Sequence, residues 1–338
     1  MVSESRAIGA LRRMSLNIKF NSKVAFIAKA TVSLLFILWL LRNKAYSFQN
    51  IELGLSNYQL AIGFLILTFF QLVLASIRMQ LLLQPNESEK VPLGEMLGIS
   101  WASNFINCIA PSSLFGDLFR IKKIANYNSD KVMDPTIYAS LFSKIFSTLG
   151  LISITSLASL FAFEYSSELQ GFLYVVYTIL VIMFLVFLCR ERLLIWLKPL
   201  FQQCYKISSS VFFHRRLDNL KTYGVTLSRS PRVILQSFLV SLAIQLLNTT
   251  SFVMIIYAIN PDFGGNFVNL VRVIPIGILI MTLPISFSGL GIGHVAFSQL
   301  LTPLGILNGS DIFTIFFAFS YLFNLLGLIP FVKLLKKS

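Results

Sequence analysis

Six stretches of this chain are long and apolar enough to cross a bilayer: residues 24–41, 59–83, 136–162, 169–189, 233–259 and 311–332. Hydrocarbon offers no water to backbone N–H and C=O groups, so each stretch must satisfy them internally, as an α-helix. Two further apolar regions, 94–119 and 267–307, are punctuated by polar residues and by a shared pattern. The first carries Pro111-Ser112-Ser113-Leu114-Phe115-Gly116 and the second Pro284-Ile285-Ser286-Phe287-Ser288-Gly289, both P-x-S-x-x-G. Proline removes a donor and clashes with the preceding turn, and glycine opens backbone conformations closed to other residues. Each pattern therefore predicts a broken helix, tolerable at membrane depth only where protein or a water-filled cavity covers the freed peptide groups. Paired breaks in corresponding places of two halves point to a transporter's binding site.

The expected fold is all-α and polytopic: about six full spans plus two re-entrant, broken-helix hairpins related as an inverted repeat. The whole chain, 1–338, reads as one integral membrane domain. A basic tail (1–23) precedes a first half (24–189), a basic interfacial segment (190–232) and a second half (233–338). Composition agrees, with 56% hydrophobic residues and only 12% charged, about half the charge of a soluble domain. The formal net charge of +14 would suggest nucleic acid in a soluble protein, but membrane proteins gather Lys and Arg in cytoplasmic loops. With the N-terminus inside, 22 Lys/Arg fall on the inner face and three (Arg42, Lys44, Arg272) on the outer. This predicts cytoplasmic N- and C-termini, a first hairpin that opens inward and a second that opens outward. No cleavable signal peptide is expected, and no nucleic-acid partner.

Charge inside the apolar regions marks the candidate site. Gly116-Asp117-x-x-Arg120 follows the first break, where a helix N-terminus favours anions and arginine binds phosphate in bidentate fashion. An ordinary juxtamembrane Asp/Arg pair has the same sequence. Lys144 interrupts the 136–162 span and Arg78 lies near the end of 59–83. A charge at membrane depth is costly and functional by default, although both residues lie within reach of snorkelling. Arg78, Arg120 and Lys144 all fall toward the inner face, where three converging cations would bind an anionic headgroup. After the second break, Gly289, Gly291 and Gly293 precede His294. The glycines permit close approach of a ligand or of a neighbouring helix. The histidine is either a proton-coupling group or a satisfied neutral side chain. Asn104, Asn107, Gln245, Asn248 and Asn324 read as amides that join helices.

No nucleophile–base arrangement, P-loop or dinucleotide signature is present, so the chain reads as a non-enzyme. His214 and His294 form no HExxH pattern, and Cys108, Cys189 and Cys204 form no CxxC pair. Neither a metal nor a cofactor is expected.

Asn107-(x3)-Pro111-(x4)-Gly116-Asp117-(x2)-Arg120 is similar to the N-x-x-x-P-x-x-x-GGD-x-x-R segment of the lysylphosphatidylglycerol synthase membrane region, the flippase-like integral membrane family. Ala75-Ser76-Ile77-Arg78-Met79-Gln80-Leu81-Leu82 resembles its A-x-R-W-x-x-LL, and Leu283–Gly291 its P-I-S-x-x-G-G-L-G. Three positions depart from it: Phe115 replaces a glycine, Ser143-Lys144 an acid–arginine pair, and Gly293-His294 an Arg-Glu. The resemblance covers roughly residues 10–335 and implies a prokaryotic inner-membrane protein, without the aminoacyltransferase domain some relatives carry. It also implies a translocase of an anionic phospholipid or lipid-linked saccharide. On this reading Arg120, Lys144, Arg78, Asn107, Gly116 and Asp117 bind the headgroup. Pro111, Ser113, Pro284, Ser286, Gly289, Gly291 and His294 line the path. The expected partners are membrane lipids, with a polyprenyl-phosphate-linked substrate as one form of cargo, and envelope-biosynthesis proteins. Two other functions stay open: an accessory subunit of an envelope glycan or lipid assembly machine, and a membrane-embedded transferase with a lipid-phosphate donor.

Overall fold

In the computed structural model, residues 47–83, 91–110, 114–127, 134–161, 222–282 and 289–336 are described. The expected spans 24–41 and 169–189, most of the basic segment 190–232, and Pro111, Ser113, Pro284 and Ser286 lie outside them. The described residues hold helices and no strand. In order these are α1 (Phe48–Ser56), α2 (Tyr58–Leu83), α3 (Leu93–Ile109), α4 (Leu114–Ala125), α5 (Asp134–Leu160), α6 (Pro231–Ile259), α7 (Phe267–Met281), α8 (Ile292–Leu301), α9 (Gly309–Leu325) and α10 (Leu328–Lys336).

Four segments can cross a membrane by length and apolarity: α2, α5, α6 and the nearly continuous α9–α10. The shortest, α2, has 26 residues and is about 39 Å long at 1.5 Å per residue, enough for a hydrocarbon core of about 30 Å. Large apolar side chains such as Ile62, Ile66, Phe70, Leu239 and Leu322 are exposed, as a bilayer solvent requires. Small hydroxylated residues on the spans bond their own backbone one turn back, as Thr68 does to Phe64 O at 2.8 Å and Ser156 to Ile152 O at 2.8 Å. That keeps a hydroxyl satisfied without water.

Both halves follow the same order: a long helix (α2, α6), two shorter helices about a break (α3/α4, α7/α8), and a closing helix (α5, α9–α10). Their packing is reciprocal. The long helices α2 and α6 pair, α3 leans on α10 of the other half, and α7 leans on α5.

At the first break, Gly116 N–H donates to Asn107 Oδ1 at 3.0 Å. The neighbouring arm lies so close that a Cβ on Gly116 would fall 2.2 Å from both that oxygen and Ser103 O. At the second, Gly289 and Gly291 have φ of +81° and +84°, left-handed values that suit glycine and reverse the chain into α8. Arg120, Lys122 and Lys123 lie within α4, which runs on to Ala125. The helix stays amphipathic beyond the membrane-like stretch, and Lys122 and Lys123 lie in its last turn, where they suit the helix dipole.

Two apolar clusters fill the bundle. One gathers Phe64, Phe252, Phe297, Phe313, Phe316 and Phe319, with the Phe252 ring stacked 3.9 Å from Phe316 and 4.3 Å from Phe297. The other, at the end carrying the lysines of α4 and α10, gathers Met79, Leu82, Met96, Ile99, Ile124, Tyr138, Phe146 and Tyr223. The short helix α1 docks on α9. Asp311, 1% exposed, accepts Ser47 N–H and Asn50 Nδ2 with its two carboxylate oxygens, each at 3.0 Å.

Two outcomes follow. Gly116→Ala drives a Cβ into a backbone carbonyl and costs about 1–3 kcal/mol, read as a lower melting temperature in detergent. Gly94→Ala, whose Cβ meets nothing within 4 Å, leaves melting unchanged. Asp311→Leu strips α1 of its acceptors at a cost of about 1–3 kcal/mol. Hydrogen exchange then accelerates across residues 47–56 while α2 stays protected.

Candidate functional site

The charged residues singled out above meet where α2, α4, α5 and α6 converge. Asp117 lies in the first turn of α4, where a carboxylate suits the helix N-terminus. It accepts Arg120 Nη2 at 2.7 Å from one turn further along and Lys144 Nζ at 2.5 Å from α5. Arg120 Nη2 also reaches Ser140 Oγ at 3.1 Å. One carboxylate thus serves two cations from two helices, and it fixes the distance between them.

Arg78 completes the set from α2. It is 7% exposed and donates through Nη1 to Ser241 Oγ of α6 at 2.8 Å. Its charge lies near enough to Arg120 for the two to repel. Among the described residues it has no carboxylate partner. The Nε atoms of Arg78 and Arg120 are both buried without a hydrogen-bond acceptor. Lys144 differs, with its side chain 57% exposed. Among the described residues the arrangement holds three positive charges against one negative, with guanidinium Nε donors to spare. Desolvated cations of this kind need further acceptors, and a phosphate supplies them.

The remaining candidates divide. Asn107 and Gly116 shape the site from beneath: the amide oxygen of Asn107 is spent on the Gly116 N–H, which supports the crossing of α3 and α4. Gly289 and Gly291 form the turn into α8, and their substitution would strain the backbone whatever the local space. His294 is buried. Its Nδ1 accepts Gly291 N–H at 3.2 Å, and Nε2 faces Thr314 Oγ1 at 3.2 Å. That hydroxyl already donates to Ser310 O at 2.9 Å, so the network assigns the imidazole proton to Nε2. The geometry is that of a neutral, satisfied ring at N3 of α8, the second of the two readings its sequence allowed.

Two buried charged groups escaped the sequence reading. Arg272, counted above as an outer-face charge, is 1% exposed within α7. Its neighbours in sequence, Leu270, Val273, Ile274 and Ile276, are all buried, and that apolar context was the available signal. Asp311 opens the last span, and its role depends on Ser47 and Asn50 more than 260 residues away. A separate apolar depression of about 300 Å³ lies between α5, α6 and α7, lined by Leu157, Leu246 and Val271 among others. No group of histidine, cysteine and carboxylates suited to a metal occurs among the described residues.

The sequence model of the lysylphosphatidylglycerol synthase TM region matches residues 26–327, a range that takes in every element of the site. No curated protein and no solved structure matches the chain. With its apolar spans and this match over most of its length, the chain is an integral membrane protein that belongs to the lysylphosphatidylglycerol synthase TM region family.

Proposed function

We propose that this protein moves an anionic lipid, an anionic phospholipid or a lipid-linked saccharide, between the leaflets of a prokaryotic inner membrane. The observation that carries the reading is the excess of positive charge around Asp117, where buried Arg78, partly buried Arg120 and exposed Lys144 present donors and, among the described residues, one carboxylate answers them. A headgroup phosphate would take the place of missing acceptors at Arg78 and Arg120 and would compete with Asp117 for Lys144. Asp117 holds the two cations at a fixed spacing when the site is empty of cargo. The lipid tails stay in the bilayer, alongside the exposed apolar faces of the spans.

The matched order of the halves and their reciprocal packing support an inverted repeat, with α3/α4 and α7/α8 as its broken hairpins. Lysines at the ends of α4 and α10 favour a cytoplasmic location for the ionic cluster. Relative motion of the two hairpins, each leaning on the closing helix of the other half, would expose the headgroup groove to one side and then the other.

The test is mass spectrometry of lipids co-purified in mild detergent, paired with a leaflet-exchange assay in vesicles. Arg120→Ala inserts and folds but loses one class of anionic lipid by about tenfold or more, the value of a charge-assisted hydrogen bond. Transport falls with it. Arg78→Met shows the same pattern. Equal retention of bulk lipids by wild type and both variants, with unchanged exchange, would reduce the cluster to anchoring and favour an accessory subunit.

A further inference from the structure

A helix that crosses a bilayer unbroken bonds each N–H to the carbonyl four residues back. The closing segment of the second half does not. Between α9 and α10, Leu326, Gly327 and Ile329 donate instead to Phe323 O, Asn324 O and Leu326 O, each three residues back, at 3.0–3.2 Å. The four-residue pattern resumes with Phe331 N–H on Gly327 O at 3.1 Å, and Pro330 has no donor to offer. The junction lies about 9 Å of helix before Lys333, inside a 28-residue segment apolar enough to cross a membrane. Its counterpart in the first half, α5, runs unbroken for 27 residues. Short 3₁₀ stretches within a helix often mark hinges, and glycine and proline are the usual places where helices bend.

The packing on either side of the junction differs. Among the described residues, α9 rests chiefly on α8 and α6, and α10 chiefly on α3. Gly98 of α3 lets Pro330 approach, with 3.7 Å between the proline Cβ and a Cβ built on the glycine. The Phe331 ring lies 5.6 Å from Phe105 of α3 and 5.5 Å from Phe119 of α4. Lys123 Nζ of α4 donates to Leu334 O at 2.8 Å. Thus α10 is joined to both arms of the first hairpin, although its sequence belongs to the second half. Trp101 of α3 sits at the junction itself. Its Nε1 donates to Phe323 O at 3.1 Å, and its ring stacks 5.1 Å from the Phe323 ring. Its carbonyl oxygen would lie 2.5 Å from a Cβ on Gly327, so the α3 backbone touches the break where only glycine fits.

We propose that Leu326–Gly327 is a pivot: α10 turns as one body with α3 and α4, α9 stays with α8 and α6, and Trp101 is the pin that holds the present bend. The pivot goes beyond the headgroup reading and does not depend on it. Bonds three residues back exchange with bonds four residues back without loss of a donor, so the bend can change while the backbone stays satisfied at membrane depth. Pro330 keeps the break from closing into a continuous helix, because the N–H that would reach Leu326 O is absent. Since α4 carries Asp117 and Arg120, a turn about this pivot shifts that pair relative to Arg78 on α2. A few element-terminal residues that absorb the change in backbone angles are the usual form of such a hinge.

The experiment is double electron–electron resonance on the full chain in lipid nanodiscs, in a background of Cys108→Ser, Cys189→Ser and Cys204→Ser. One nitroxide pair crosses the junction: Leu322→Cys on α9 and Leu335→Cys on α10, both exposed and about 20 Å apart along the axis. The other stays within the moving body: Leu335→Cys and Lys122→Cys, an exposed position on α4. The expected result is one narrow distance for the α4–α10 pair and a broad or doubled distribution for the α9–α10 pair. Trp101→Phe keeps a ring against Phe323 and removes the donor, so it shifts population into a second distance for the α9–α10 pair alone. Pro330→Ala restores an N–H to the junction and narrows that same pair. A single narrow distance for both pairs, unmoved by either substitution, makes the junction a fixed bend and overturns the pivot. Equal broadening of the two pairs shows that α10 does not travel with α4, and overturns it as well.

Discussion

A charge inside a membrane protein must be answered by another group of the protein or by a ligand, because the surrounding hydrocarbon answers nothing. Asp117 is where this chain meets that demand. Its two oxygens bind Arg120 on its own helix and Lys144 on the next, so the carboxylate joins α4 to α5 and spaces the cations. Removal of the acid would leave two positive charges facing each other in a medium of low dielectric, a costly arrangement. The helix start at Leu114 places Asp117 in the first turn, where the dipole favours it further. The break before α4 and the ionic cluster are thus one device: the break creates the helix N-terminus, the terminus suits the acid, and the acid holds the bases.

Arg78 is left outside that arrangement. Its contact with Ser241 satisfies one donor but none of its charge, and Arg120 nearby adds repulsion. A natural sequence seldom keeps such a group for stability, since apolar replacements of similar volume are often neutral or better. Its guanidinium is the least compensated charge of the cluster among the described residues.

Much of this was legible in the sequence for a physical reason. Apolar run length reports bilayer thickness directly, so α2, α5, α6 and α9–α10 fall within a few residues of the stretches read as 59–83, 136–162, 233–259 and 311–332. The helices stop and restart near both patterns, between Ile109 and Leu114 and between Met281 and Ile292. At the second, Gly289 and Gly291 take left-handed backbone, whereas Gly116 lies within α4. The pairing of Asp117 with Arg120 is three residues apart and needed only helical spacing. Long-range partners were harder. Nothing near Gln245 in sequence points to Ser147, and nothing near Asp311 points to Ser47. Asn107 was read both as an amide that joins helices and, through the motif, as a headgroup ligand; its oxygen accepts the Gly116 N–H. Arg272 was counted with the outer-face charges, and the structure buries its side chain within α7, beside Leu270, Val273 and Ile274.

The two apolar clusters give the polar residues their meaning. Each cluster is well packed by itself, with stacked phenylalanines in one and Met, Ile and Tyr side chains in the other. A continuous core across the bundle would have been simpler to build from the same apolar composition. Instead, α2, α5 and α6 each turn polar between the clusters, at Ser76 and Arg78, at Ser147, and at Ser241 and Gln245. Helices that meet through small and polar side chains give up apolar packing at the contact, and they gain a surface along which water or a headgroup can be accommodated. The boundary between the clusters therefore holds atoms that the described bundle leaves unanswered, Arg78 Nε and Gln245 Oε1 among them.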